Sequence, residues 1–185
     1  MQSIRAARWS PAPALVAGLV LALAAGCRDV PRSAITDPGF ETVSVLARSA
    51  AHPATHLTGA EEVPPADTRA QGQAFFRLSA DGTMLAYTLI VANIENVLMA
   101  HIHLEVPGEN GPVVAWLYPS GPPPQLIAGR SQGVLARGVL TDASLVGPLA
   151  GMTLDDLLAE IAAGNAYVNV HTSQYPGGEV RGQLD

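Results

Sequence analysis

From residue 55 onward, apolar and polar residues alternate in short runs that turn-forming residues separate. A period of two is typical of half-buried β-strands. Residues 73–78 and 85–92 flank the turn dipeptide Asp81-Gly82, which predicts a hairpin. We expect a mainly β domain, a Greek-key-like β-sandwich or small barrel of about seven to eight strands with one short helix. The further predicted strands cover residues 97–104, 113–118, 134–140, 166–172 and 179–184.

The stretch that follows Thr153 has helical periodicity instead. Thr153 is a suitable N-cap, and Asp156 stands where the third helical residue of a capping box belongs. The apolar residues recur at i, i+3, i+4 and i+7, and Gly164 is a stop signal. We expect a short helix that packs its apolar stripe on the sheet and leads into the strand at 166–172. The stripe consists of Leu154, Leu157, Leu158 and Ile161.

Three of the five histidines lie in two of the predicted strands. Side chains alternate between the faces of a strand, so His101 and His103 share one face while Ile102 takes the other. In the later strand, His171 alternates with Val170 in the same way. Since Ile102 and Val170 belong to the apolar faces, we expect the three imidazoles to face away from the hydrophobic core.

Turn clusters at 107–112 and 175–178 put these histidines beside loops, near the C-terminal ends of their strands. The rings would converge if the two strands are parallel neighbours or face each other across a barrel rim. Imidazole is a ligand for zinc, copper and nickel. His101, His103 and His171 are therefore candidate ligands of a copper or zinc ion. The alternative is that the imidazoles hydrogen-bond neighbouring residues and cap loops on a polar sheet face.

Several other polar residues have a functional and a structural interpretation. Glu179 is a candidate fourth ligand or a group that orients an imidazole, but an ion pair with Arg181 or Arg137 across the sheet is the favoured interpretation. Residues 61–62 are two glutamates beside two prolines, and we expect a solvated turn there. Asn169 and Thr172 are candidate polar site residues, but hydrogen bonds that close a loop are the favoured interpretation.

The N-terminal residues have the organisation of an export signal. Residues 1–26 carry Arg5 and Arg8, then an apolar run at 14–25, which is too short to span a membrane because a spanning helix needs about 20 apolar residues. The letters LAAGC that end at Cys27 resemble a bacterial lipobox. We predict a lipoprotein signal peptide with lipid attachment at Cys27. The alternative is an anchor helix that is not removed.

The lipobox resemblance implies a lipid-anchored tether over residues 27–54 and a location in the cell envelope. An acylated cysteine with more than one lipid chain provides stable anchoring. In bacterial lipoproteins, an Asp after the cysteine commonly retains the protein at the inner membrane. Arg28 follows Cys27 here, which favours the outer membrane where one is present. Cys27 is the only cysteine, so no intrachain disulfide can form.

The charge balance excludes some classes of partner. The chain has a formal net charge of −6, and removal of Arg5 and Arg8 with the signal peptide takes it to −8. An acidic chain argues against nucleic acid and against peripheral binding to anionic lipid, since both need basic patches. The sequence shows no nucleophile–base motif and no glycine-rich phosphate loop, so we assign no catalytic residue.

Four separated motifs, the last in two parts, point to a known family. They are residues 57–65 (LTGAEEVPP), 100–103 (AHIH), 110–114 (NGPVV), and 164–172 (GNAYVNVHT) with 176–184 (PGGEVRGQL). In this order they resemble the CHRD domain, named for the secreted growth-factor antagonist chordin and widespread in bacterial exported proteins. The resemblance covers about residues 55–185. It implies a mainly β, extracytoplasmic module, and it implies no reaction.

These observations together predict a membrane-anchored, extracytoplasmic CHRD-domain module that binds a ligand or has a structural role and is not an enzyme. Its partners would be the membrane, through the lipidated cysteine, and a possible protein partner. The competing hypothesis is a copper- or zinc-binding protein, or a metal-dependent enzyme, that uses His101, His103 and His171. The H-x-H strand also resembles the copper-binding strand of copper/zinc superoxide dismutase, but we transfer no activity from that enzyme.

Overall fold

The structure is a computed structural model and describes residues 52–185. The predicted signal peptide, Cys27 and the tether up to residue 51 lie outside the described residues. The described part contains seven strands, one α-helix and three short 3-10 helices. The strands are β1 (Ala54–Thr58), β2 (Gln71–Leu78), β3 (Leu85–Leu104), β4 (Val113–Tyr118), β5 (Ile127–Leu140), β6 (Ala166–Thr172) and β7 (Val180–Gln183), and the helix is α1 (Leu154–Ala162).

Five of the strands close into a barrel. Each of β1, β2, β3, β6 and β7 pairs antiparallel with the next in that order, and β7 pairs with β1 to complete the ring. The two remaining strands, β4 and β5, pair with β3 outside this ring. The predicted mainly β fold with one short helix is confirmed, and the closed ring shows that the barrel alternative applies. Closure removes the exposed edges that an open sheet would present.

Strand β3 is longer than the sequence pattern predicted. The predicted strands at 85–92 and 97–104 are one 20-residue strand. Asn93 and Asn96 lie within it at positive φ, 58° and 53°, where the pairing with β5 is irregular. Asparagine tolerates this conformation better than most residues, so the chain bends here without ending the strand. The first half of β3 therefore pairs with β2 and β5, and the second half pairs with β4 and β6.

The hairpin and the helix follow the predictions closely. Leu78 pairs with Leu85 at the end of the β2–β3 hairpin, and Gly82 in the turn has a φ of 74°. The Thr153 side chain accepts a hydrogen bond from the Asp156 amide at the start of α1. The four residues of the apolar stripe are all buried in the core, so the helix packs as expected. None of the helices among residues 52–185 is long and apolar enough to cross a membrane.

The hydrophobic core takes one face of the β3–β6 pair. Ala100 and Ile102 on β3 and Val168 and Val170 on β6 are fully buried members of the core cluster. The alternate residues of both strands point to the opposite face of the pair. That face carries the histidines.

Candidate metal centre

The three predicted histidines come together because β3 and β6 are antiparallel neighbours. In the ladder, His101 lies opposite Asn169, and His171 lies opposite Met99. His171 is therefore one diagonal step from His101 on the same face. The predicted convergence is confirmed, but it arises from adjacent antiparallel strands rather than from parallel strands or a barrel rim. All of β6 pairs with residues 97–104 of β3, so the histidines of both strands lie within this one paired segment.

The distances between the rings suit a shared ion. Nδ1 of His101 lies 3.2 Å from Nε2 of His171 and donates a hydrogen bond to it, because Nδ1 of His171 carries its own proton towards the Pro176 oxygen. One nitrogen from each of His101, His103 and His171 can be chosen so that all three lie within 4.8 Å of one another. Zinc–nitrogen bonds of about 2.0–2.1 Å place two ligands of a tetrahedral ion roughly 3.3 Å apart. Because two nitrogens on one ion lie at most about 4.2 Å apart at these bond lengths, ring movements of less than about 1 Å would bring the three ligand atoms to the spacing that coordination requires.

All three imidazoles are buried, with at most 7% of each residue exposed. The expectation of a polar sheet face is wrong in this respect, because two loops and a neighbouring strand cover the rings. Loop 105–112 and loop 173–178 contribute backbone carbonyls that contact the rings. Trp116 of β4 meets the His101 ring edge-on, with 4.3 Å between the ring centroids. The strand pattern alone gave no information on this cover.

Backbone carbonyls fix the tautomer of two of the rings. Nδ1 of His103 lies 2.9 Å from the Gly111 oxygen, and Nδ1 of His171 lies 2.9 Å from the Pro176 oxygen. A carbonyl oxygen only accepts, so each Nδ1 carries the proton and donates it. In the neutral ring, Nε2 then keeps its lone pair. Metal-binding histidines are commonly oriented by such a bond from the other ring nitrogen. The hydrogen bonds to loops that the structural alternative predicted are thus present as well.

The cluster also holds polar atoms that lack partners. Among the described residues, four buried side-chain atoms have no hydrogen-bond partner, and three of them lie here. A buried acceptor without a donor costs about 1–3 kcal/mol. Three such acceptors in one cluster would each be satisfied by a hydrogen-bond donor or by a cation. The three atoms are Nε2 of His101, Nε2 of His103 and Oδ1 of Asn169.

Burial keeps the rings neutral. Desolvation, together with the nearby His171 and His103, lowers the pKa of His101 to about 3. Burial likewise lowers the pKa of His171 to about 4, against the opposing effect of the Pro176 carbonyl. The pKa of His103 is also lowered, chiefly by desolvation. At neutral pH all three imidazoles are therefore unprotonated, which is the form that binds a metal ion.

An aromatic and cationic stack supports the ring of His103 from behind. The Tyr167 ring is stacked on it, with the centroids 4.8 Å apart and the planes 8° from parallel. The guanidinium carbon of Arg181 lies 3.5 Å from the centroid of the Tyr167 ring. Arg181 is buried and donates hydrogen bonds to the carbonyl oxygens of Val106 and Glu109. Because both carbonyls belong to the loop over the site, Arg181 fixes that loop against the barrel.

Of the three glutamates that the sequence analysis considered, Glu179 and Glu62 differ from their predictions. Glu179 pairs with neither arginine, because its carboxylate accepts hydrogen bonds from the hydroxyls of Thr68 and Thr172, each at 2.7 Å. It is not among the residues of the histidine cluster. Glu61 is exposed as expected, but Glu62 is buried. Desolvation raises the pKa of Glu62 to about 7, although Arg181 and the Val63 amide oppose the shift.

The sequence analysis missed Tyr167 and Arg181 as site residues, and for Asn169 it favoured a loop-closing role over a place in the site. Tyr167 and Asn169 alternate with His171 along β6, so the period of two already placed them on the histidine face. Their burial depends on loops whose path the strand pattern does not determine. Arg181 lies opposite Asn169 in the β6–β7 pair, so the predicted turn at 175–178 between two predicted strands was the signal that could have found it.

The comparison with protein families agrees with this architecture. The sequence model of the CHRD domain matches residues 54–184, which covers the whole barrel. The chain belongs to the CHRD domain family. A search of curated proteins returned no match, and neither did a search of solved structures.

Proposed function

We propose that this CHRD domain is a metal-binding module that holds one transition-metal ion between His101, His103 and His171. The observation that carries the proposal is the group of three neutral, buried imidazoles with ligand atoms within 4.8 Å of one another. Two of them present an unprotonated Nε2 because a backbone carbonyl occupies Nδ1. The two unpartnered nitrogens, Nε2 of His101 and Nε2 of His103, are acceptors that a bound cation would satisfy.

The ligand set favours a particular class of metal. Three imidazole nitrogens suit zinc and copper, whereas magnesium and calcium require oxygen ligands. No carboxylate takes part in the cluster. Binding is favoured over catalysis because two loops and a tryptophan cover the rings, which hinders the approach of a substrate larger than a small anion. An ion here would join the second half of β3, β6 and the loops above them.

The module is further proposed to be exported and lipid-anchored at Cys27, with residues 27–54 as its tether. This part of the proposal is supported by the basic start, the apolar run at 14–25 and the lipobox-like letters LAAGC. Arg28 favours the outer membrane where the cell has one. The metal would then be bound outside the cytoplasm.

Metal titration of the full chain tests the histidine site. The protein is purified in mild detergent, stripped with a chelator and titrated with zinc against a competing dye. We expect one equivalent to bind to the wild type. His103→Ala should weaken binding by at least about tenfold, since even the loss of an outer partner of a metal ligand costs 10–100-fold.

The matched control is His56→Ala, which removes an exposed histidine of β1 outside the cluster. It should bind zinc as the wild type does. Circular dichroism of each variant verifies that the barrel is folded. Equal zinc affinity in the wild type and in folded His103→Ala would show that the three histidines have a structural role alone.

A further inference from the structure

Asn169 occupies the middle of the histidine face. It is the cross-strand partner of His101, and the period of β6 puts its side chain on the same face as Tyr167 and His171. Only 2% of the residue is exposed. A carboxamide is a strongly polar group, so its burial at this point needs an explanation from its hydrogen-bond partners.

The oxygen of this carboxamide lacks such a partner. Oδ1 of Asn169 is buried and receives no hydrogen bond. His103 follows His101, the cross-strand partner of Asn169, by two residues, so its ring lies on the same face of the β3–β6 pair as the carboxamide. Since Nδ1 of His103 donates to Gly111, the Nε2 of His103 is an acceptor too. Two acceptors that share a buried space repel each other unless a cation, or a donor, lies between them.

We propose that Oδ1 of Asn169 is the fourth ligand of the ion bound by the three histidines. This inference depends on the proposed function and specifies the site: three nitrogens and one oxygen, all neutral and all from the protein. Zinc(II) accepts oxygen ligands alongside imidazole and is usually four-coordinate in structural sites. Copper(I) prefers soft sulfur ligands, so an amide oxygen in the fourth position selects against it.

Four protein ligands make a closed site. Catalytic zinc sites keep a fourth position for water or substrate, whereas structural sites fill all four positions from the protein. The bond from Asn169 would therefore leave no position for a substrate. The ion would instead tie β3 to β6 beneath the loops at 105–112 and 173–178, whose carbonyls orient His103 and His171.

Cobalt(II) with azide as a competing ligand tests this arrangement. Cobalt substitutes for zinc, and its visible spectrum changes when an exogenous anion binds to the ion. The full chain, stripped of metal, is loaded with one equivalent of cobalt and titrated with azide. We expect the wild-type spectrum to be unaffected. Asn169→Leu opens the fourth position, so its spectrum should shift with azide, and its cobalt affinity should fall about tenfold or more.

Two further variants separate ligation from structure. Asn169→Asp keeps an oxygen in place and should resist azide like the wild type. Asn165→Leu makes the same chemical change just before β6, where the amide donates to Glu160 outside the cluster, and should also resist azide. The inference is overturned if azide shifts the wild type as it shifts Asn169→Leu, or if folded Asn169→Leu resists azide. Failure of the wild type to bind cobalt at all would instead overturn the proposed function.

Discussion

Burial keeps the histidines of this face neutral at pH values where an exposed histidine would be protonated. The folded-state pKa values of His101 and His171, about 3 and about 4, lie below the ordinary value of 6.5. Between the folded-state pKa values and 6.5, the unfolded chain binds more protons at these two residues than the folded chain does. The free energy of unfolding therefore falls as the pH drops from about 6.5 towards 4, by about 1.4 kcal/mol per pH unit for each such ring.

Glu62 has the opposite pH dependence. Its folded-state pKa of about 7 lies above the ordinary 4.5, with desolvation as the largest cause. A raised carboxyl pKa gives a contribution to stability that is complete below 4.5 and is lost as the pH rises through 7. Glu62 thus partly masks the effect of the histidines between pH 4.5 and 6.5, where the two slopes have opposite signs.

The substitution Glu62→Gln isolates this effect. A neutral amide avoids the cost of a buried charge, so the variant should have a higher free energy of unfolding than the wild type at pH 8. At pH 4.5 the two proteins should be close, because Glu62 is then protonated. Urea denaturation of the metal-free proteins at both pH values is the measurement. Glu61→Gln alters the exposed neighbour and should change stability at neither pH. An equal change for Glu62→Gln at both pH values would contradict the assigned cause.

The residue scale also shows where sequence reasoning stops. The period of two correctly placed His101, His103 and His171 on one face, since alternation is local to each strand. The same pattern suggested a solvated face, yet the rings are buried. Burial comes from the carbonyls of the loops that follow each strand, from Trp116 and from the loop that Arg181 holds, and these groups lie outside the strands that carry the histidines. Local periodicity contains no information about such contacts.

Among the elements, strand β3 shows the limit of turn signals. The interruption in the pattern after residue 92 separated two predicted strands, but two asparagines at positive φ allow one strand to bend instead. Strand β5 likewise begins at Ile127, whereas the pattern indicated a start at 134. Its early part is mostly exposed and contains glycine, so it lacks the apolar alternation that identifies a strand. The helix, with its cap and its stripe, was predicted correctly because both signals are local.

The helix provides a stability test at this scale. Leu158 is buried in the core against the barrel. Leu158→Ala should lower the free energy of unfolding by about 2–5 kcal/mol, through lost burial and the cavity that remains. Urea denaturation measures this loss. Met152→Ala, at an exposed position just before the helix, should change stability by no more than about 0.5 kcal/mol. A Leu158→Ala midpoint equal to that of the wild type would show that the stripe does not stabilise the barrel.

At the scale of the whole molecule, the sequence consists of a barrel domain and an N-terminal segment that is predicted to direct export and anchor the protein. The barrel belongs to the CHRD family and is described from residue 52 to the C-terminal residue. Cys27 precedes it by more than twenty residues, a length that suits a tether between a membrane surface and the domain. The separation predicts that anchoring and metal binding can be altered independently.

Cys27→Ser tests the anchor in cells. A serine cannot receive the lipid, so we expect the protein to accumulate uncleaved or to leave the membrane fraction. Cell fractionation with mass spectrometry of the N-terminus measures both outcomes. Ala25→Ser, which places a small residue beside the same predicted cleavage site, serves as the control and should remain acylated. Unchanged cleavage and membrane retention in Cys27→Ser would refute the lipid attachment.

The central claim is that three imidazoles of this barrel bind one metal ion. X-ray absorption at the zinc edge of the full chain, loaded with one equivalent of zinc, tests it most directly. We predict a first shell of nitrogen and oxygen at about 2.0–2.1 Å, with outer-shell scattering from three imidazoles. His103→Ala should reduce that scattering to two rings, while His56→Ala should leave three. A first shell of oxygen without imidazole scattering would contradict the account.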